Sequence, residues 1–248
     1  MTKPAMVLFD YGNTIITEEL LGFEKGNEVL LSMASENPLG ITVKEFQPFI
    51  EELIKKTCCK MGAETRNRQP FEISWCSLNR YAFEMFGIVF DRPYEELEKI
   101  YWDSIVSARP SDNIEELLSF LKESGIRTGV VSNLMYSGKT LEDRINTLLP
   151  ENGFEFILSS CDYAFRKPEK DFFLLALKKA GLSADEVWFC GDNPICDIEG
   201  AFGAGLQPVW YTRTYKGKEK LITALSNDKY IAVDDWSQLK KKIKGCIQ

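Results

Sequence analysis

The sequence predicts an α/β fold in which a parallel sheet is covered by helices on both faces and is interrupted early by an all-helical insertion. Three observations lead there. Short β-branched or aromatic runs recur at 5–9, 128–132, 154–159, 187–190 and 207–211, mostly separated by stretches of helical periodicity. That alternation is the signature of parallel strands joined by crossover helices. Between the first two runs, residues 17–107 repeat the helical pattern without a convincing strand. Finally, Asp10, Ser132 and Asp192 stand where strand-like runs end, and open α/β sheets carry their chemistry at the carboxyl ends of strands.

The first run ends at Asp10 and meets Tyr11-Gly12-Asn13-Thr14 at once, so a carboxylate stands where strand gives way to turn. An Asp there can cap the turn or be poised over the sheet edge. Asn13 tolerates a left-handed turn better than most residues. The insertion reads as four helices, 23–35, 43–60, 71–86 and 94–107, broken at Asn37-Pro38, at the polar 64–70 stretch and at Arg92-Pro93. Its hinges are expected at 17–22 and 108–112. Phe46, Phe49, Phe71, Trp75, Tyr81, Phe83, Phe86, Tyr94, Tyr101 and Trp102 crowd this region and read mainly as helix–helix core.

After a helix from 114 to 124, the next run ends in Ser132 and Asn133. In Phe165-Arg166-Lys167-Pro168-Glu169, Pro168 suits the first turn of a helix through Phe172, Leu175 and Leu177, and Lys167 stands just before it, free to point inward. The run 187–190 leads into Gly191-Asp192, and Asp197 opens the following helix. Two acids five residues apart across a strand-to-helix turn can face one cation. Residues 231–233 add an edge strand before a last helix over 236–244.

Composition narrows the chemistry. The chain has 248 residues, 44% of them hydrophobic, and a formal net charge of −7. Without a basic tract to follow a phosphate backbone, nucleic acid is not an expected partner; the lysines of 240–244 read as a solvated helix face. No apolar run approaches the roughly 20 residues of a membrane span, and the N-terminal apolar stretch breaks at Asp10, so no membrane association is expected. Seven cysteines without metal-ligand pairing, including the adjacent Cys58 and Cys59, point to a reducing, cytoplasmic setting. The chain contains no histidine, which excludes Ser-His-Asp and Cys-His catalysis and histidine-ligated zinc within it. Proton transfer must rest on carboxylates, Lys, Tyr, Cys or water.

Asp10 to Thr14, Ser132, Lys167 and the Asp192 to Asp197 segment form a phosphate-handling set: carboxylates for a hard divalent cation, a hydroxyl and an ammonium. In this order and on these elements the chain resembles the haloacid dehalogenase (HAD) superfamily, over about residues 4–212. The resemblance implies a Rossmann-like three-layer core, residues 1–16 and 108–248, plus an all-helical cap domain, residues 17–107, that closes over the site. The first strand would lie centrally, flanked by the second and fourth. By the same resemblance Asp10 is the nucleophile that forms an aspartyl-phosphate, Ser132 holds a phosphoryl oxygen and Lys167 neutralises charge. Mg²⁺ is the implied cofactor, held by Asp10, Asp192 and the Gly12 carbonyl. Asp197 binds the metal directly or through water, or orients Lys167. Asn133, Arg66 and Arg68 are candidate substrate contacts, the two arginines because a phosphate ester needs a positive rim.

One position departs from the family. Its phosphatases carry a second Asp two residues after the nucleophile, which protonates the leaving group and then activates water; here that position is Gly12. Glu18 and Glu19, where a flap would fold back, are candidates to replace it. The leading expectation is a Mg²⁺-dependent phosphohydrolase for a small phosphorylated metabolite, monomeric or homodimeric, and slow on poor leaving groups. One alternative is C–P or C–halogen chemistry, with Lys44, Lys55 or Lys56 as Schiff-base candidates. The other is a nearly inactive HAD domain that binds phosphate or a partner protein.

Overall fold

The computed structural model describes residues 2–58, 70–215 and 229–247. Six parallel strands form the main sheet: β1 (Met6–Phe9), β4 (Arg127–Ser132), β5 (Ile157–Ser159), β6 (Val187–Gly191), β7 (Gln207–Tyr211) and β8 (Ile231–Val233). Their order is β5-β4-β1-β6-β7-β8, so β1 is central between the second and fourth runs of the core, as expected. Every β1 residue is buried. Side chains alternate across a strand, so Val7 and Phe9 enter one apolar cluster while Met6 and Leu8 enter the other. Burial on both faces is why β1 is continuously hydrophobic.

Helices Ile114–Glu123 and Trp236–Ile247 supply the first face with Leu117, Leu121, Trp236 and Leu239. Lys170–Ala180 supplies the second with Phe172, Phe173 and Ala176. The insertion contributes Leu30, Phe46, Trp75, Phe83 and Trp102 to the first cluster, so its core is continuous with that side of the sheet. Most of its aromatics are interior, as their spacing suggested, but Phe71 and Tyr81 are exposed.

Among the described residues the insertion's helices are Phe23–Ser32, Val43–Cys58, Trp75–Met85 and Tyr94–Ile105. The third starts later than periodicity indicated. Ser74 caps it by accepting the Ser77 N–H at 3.0 Å, while Pro70 and Glu72 use their backbone groups to bond Arg166 and Ala164. The fourth stops at Ile105, because 106–110 pair antiparallel with Ile16–Leu20 as a two-stranded ribbon, β2 (Ile16–Leu20) with β3 (Val106–Pro110). This ribbon carries the chain into and out of the insertion where hinges were expected. It escaped the sequence reading because its strands are short and polar. Pro168 also differs from expectation: it precedes the helix, which begins at Lys170, and is joined to Lys167 by a cis peptide bond.

Among the contacts that fix the insertion against the core, one centres on Glu98 and another on Trp102. The fully buried Glu98 carboxylate of the Tyr94–Ile105 helix accepts the Ser137 N–H at 3.1 Å, the Ser137 hydroxyl at 2.6 Å and the Thr140 hydroxyl at 2.7 Å. Three donors to one carboxylate offset the cost of burying its charge. Nearby, Trp102 stacks on Tyr136 with ring centroids 4.4 Å apart. Within the insertion, Gly26 lets the first helix approach the fourth: a Cβ there would lie 2.5 Å from Tyr101 Cδ2 and 2.6 Å from Ile105 Cγ2. Gly26→Ala is therefore expected to destabilise the protein by about 1–3 kcal/mol through overpacking, lowering Tm by about 2–4 °C per kcal/mol in a chain of this size. Calorimetry checks it; an unchanged or higher Tm would contradict the close-packing argument.

Candidate active site

The site lies at the carboxyl ends of β1, β4 and β6. Phe9 is in register with Val130 on one side and Cys190 on the other, which brings Asp10, Ser132 and Asp192 to one edge. The Asp10 N–H continues the ladder by donating to the Cys190 carbonyl at 2.8 Å. The turn beyond it depends on Asn13, which has φ 56, and on the Tyr11 carbonyl, which accepts from Thr14, Ile15 and Ile16. The resulting cleft of about 380 Å³ is lined by Asp10, Gly12, Ser132, Asn133, Arg166, Lys167, Asp192 and Asp197, among others.

Lys167 organises this edge. Its Nζ donates to Asp10 Oδ1 at 2.7 Å and to Asp197 Oδ1 at 2.6 Å, with only 1% of the side chain exposed. The Ser132 hydroxyl donates to the same Asp10 oxygen at 3.2 Å. Asn133 holds the Lys167 main chain from both sides, donating to its carbonyl and accepting its N–H, each at 2.7 Å. Asn133 thus lines the cleft while its amide positions Lys167. Burial alone would push the Lys167 ammonium down, but the Asp10 and Asp197 charges and hydrogen bonds hold it above the ordinary lysine range.

Asp197 reaches Lys167 because the helix after β6 begins with a wide turn, Pro194–Glu199, in which the Ile198 N–H reaches back five residues to Asn193. Such π-type turns recur at functional sites. Asn193 caps the turn by accepting the Ile195 and Cys196 N–H groups at 3.0 Å each, and its own N–H donates to Asp197 Oδ2 at 2.8 Å. Burial pushes Asp197 up to about 6, against the pull of Lys167. Burial also raises Asp192, reinforced by the charges of Asp197 and Asp10.

The three carboxylates each offer an oxygen within 4.8 Å of the others, yet Lys167 bonds only two of them. A buried cluster with three acids and one ammonium is short of positive charge, and hard oxygen donors suit a small divalent cation. These residues therefore fit such an ion.

Not every anticipated residue joins the site. Arg66 and Arg68 lie outside the described residues, as do Cys59 and the side chain of Cys58. Lys44, Lys55 and Lys56 are exposed on the Val43–Cys58 helix, and Lys56 pairs with Glu52 at 3.6 Å. Glu19 is exposed, whereas Glu18 faces inward: Tyr11 Oη donates to Glu18 Oε1 at 2.9 Å, and Arg144 Nε donates to Tyr11 Oη at 3.0 Å. Burial raises the Glu18 carboxyl above its ordinary value, opposed by the Tyr11 hydrogen bond and the Arg144 charge.

Arg144, Arg166 and Gly191 were missed. Arg166 lines the cleft with its side chain buried, pairs with Glu72 at 3.5 Å and keeps an Nε without a hydrogen-bond partner. Its place beside Lys167 was the available signal. Arg144 sits far along the chain, so nothing local marked it. Gly191 is required because a Cβ there would come 2.3 Å from Asp197 Cγ. Gly191→Ala should displace Asp197 from Lys167. The expected result is an overpacking cost of about 1–3 kcal/mol and a roughly 10²-fold loss of turnover from misplacement, read by urea unfolding and steady-state kinetics. Wild-type values in both would show that this approach is not constraining.

Fold and site together set a buried carboxylate cluster with one ammonium at the carboxyl edge of a parallel sheet. The chain belongs to the haloacid dehalogenase-like hydrolases, whose family profile matches residues 7–211. It is similar to the "Putative pyrophosphatase PpaX" of Caldanaerobacter subterraneus subsp. tengcongensis, with 29% identity over 80% of this chain and 86% of that protein. It also resembles a glyceraldehyde 3-phosphate phosphatase of Methanocaldococcus jannaschii, with 31% identity over 45% of this chain and 47% of the relative. Among solved structures, a HAD phosphatase from Thermococcus onnurineus shares the fold at TM-score 0.60 and 21% identity, covering 99% of both chains. A 2-haloacid dehalogenase from Pseudomonas syringae shares it at TM-score 0.59 and 20% identity, covering 100% of both. No described helix is long and apolar enough to cross a membrane.

Proposed function

We propose that this hydrolase is a Mg²⁺-dependent phosphohydrolase of small phosphorylated metabolites, with Asp10 as the nucleophile. The observation that carries the reading is the buried grouping of Asp10, Asp192 and Asp197 around Lys167, which is short of one cation. The phosphatase relatives support the substrate class. Asp10, Asp192 and the Gly12 carbonyl would hold Mg²⁺, while Asp197 adds charge and orients Lys167. When bound, the ion supplies positive charge to phosphoryl oxygens, which is most of what phosphoryl transfer requires. The ammonium of Lys167 and the Ser132 hydroxyl are suited to hold further phosphoryl oxygens, and Arg166 is a cationic residue in the lining. We assign residues 17–107 as the cap domain over a core of 1–16 and 108–248. The thiols of Cys76, Cys161, Cys190 and Cys246, none of them in a disulfide, suit a cytoplasmic setting.

A buried carboxylate cluster is poorly suited to metal-free C–halogen chemistry, and the three lysines considered for a Schiff base face solvent. The test is a panel of phosphate esters and anhydrides, with haloacids as controls, assayed with Mg²⁺ and with chelator. Phosphate release that needs Mg²⁺ is expected, with at least 10³-fold loss in Asp10→Asn and weakened Mg²⁺ binding in Asp192→Asn. Full activity under chelator, or in a folded Asp10→Asn protein, would reject the proposal.

A further inference from the structure

We propose that Glu18 is the general acid–base residue of this site, occupying from the β2 strand the room that Gly12 leaves empty. The inference rests on the phosphohydrolase reading above. Among the described residues, and apart from chain neighbours, the one atom within 4 Å of where a Cβ on residue 12 would lie is Glu18 Oε2, at 3.9 Å. Gly12 itself lines the cleft beside Asp10. An Asp at position 12 would direct its own carboxylate into the same neighbourhood.

Glu18 is held for the task. Oε1 accepts from Tyr11 Oη, and Arg144 braces that phenol from behind, 3.6 Å from Oε1. Arg144 is fixed in turn by Asp103 at 2.6 Å and by the Trp102 ring, 4.6 Å from its centroid. One carboxylate oxygen is thereby anchored and the other faces Gly12. The neighbouring Glu19 points to the opposite face of the strand.

In the first half-reaction, an Asp10 oxygen forms a bond to phosphorus and the bond to the leaving oxygen breaks. That oxygen keeps the electron pair and takes the proton from Glu18 Oε2. In the second, the Glu18 carboxylate takes a proton from water as the water oxygen bonds to phosphorus. The phosphorus bond to Asp10 then breaks, its electron pair returns to the Asp10 carboxylate, and Glu18 is protonated again for the next cycle.

The test uses Glu18→Gln, which keeps an acceptor for Tyr11 but cannot exchange the proton. With an aryl phosphate, whose leaving group needs no proton, rapid quench should show a stoichiometric burst of phenolate and then a steady state slowed about 10²- to 10⁴-fold. A merely structural Glu18 would lower burst and steady state together. Steady-state loss at least tenfold greater than burst loss is the expected result; any smaller difference overturns the proposal. Gly12→Asp in the Glu18→Gln background should restore most of the steady-state rate, since residue 12 has an ordinary backbone φ and room for a side chain. If the wild type releases no phosphate from any ester, it is the phosphohydrolase reading that fails instead.

Discussion

The ammonium of Lys167 is the interaction on which the site depends. Its buried Nζ joins Asp10, at the end of β1, to Asp197, in the turn after β6. Removing one partner of a buried ion pair is costly because the other charge remains without compensation. The surrounding backbone is built to prevent that. Asn133 fixes the lysine main chain, Asn193 fixes Asp197, and Gly191 lets the Asp197 carboxylate pass close to the strand. These restraints come from the ends of two strands, β4 and β6, so the sheet must be assembled for the charges to meet.

The site is also tied to the insertion through the residue next to Asp10. Tyr11 is fully buried with its ring edge-on to Trp102, 5.7 Å between centroids, and its hydroxyl joins Glu18 to Arg144. Burial raises the Tyr11 phenol, as does the Glu18 charge, so it remains a donor at neutral pH. Asp103 and Trp102, both on the Tyr94–Ile105 helix, hold Arg144. A rotation of that helix would therefore be felt at Glu18 through one cation and one phenol. The loss of an acidic side chain at residue 12 and the presence of an inward Glu at residue 18 are two aspects of one local arrangement.

Much of this was legible in the sequence. Strand ends were readable because buried strands are continuously apolar and stop abruptly at Asp10, Ser132 and Gly191-Asp192; the left-handed turn at Asn13 followed from its side-chain chemistry. The β2–β3 ribbon was not readable, because polar five-residue strands carry no hydrophobic signal until their partner is known. Choosing Glu18 over Glu19 required the strand's facing, since consecutive residues point to opposite sides. Arg144 and Glu98 were invisible for a related reason: each acts on a residue dozens of positions away, and only the tertiary contact separates them from solvated surface charges.

The proposed chemistry turns on whether Asp10 becomes covalently bonded to phosphorus. Mass spectrometry of protein acid-quenched during turnover of an aryl phosphate with Mg²⁺ addresses this directly, most sensitively in Glu18→Gln, where the adduct should accumulate. One phosphoryl group is expected on the peptide that contains Asp10, absent from Asp10→Asn. Sustained phosphate release with the adduct on another residue, or with none on Asp10 under conditions that trap acyl phosphates, would contradict it.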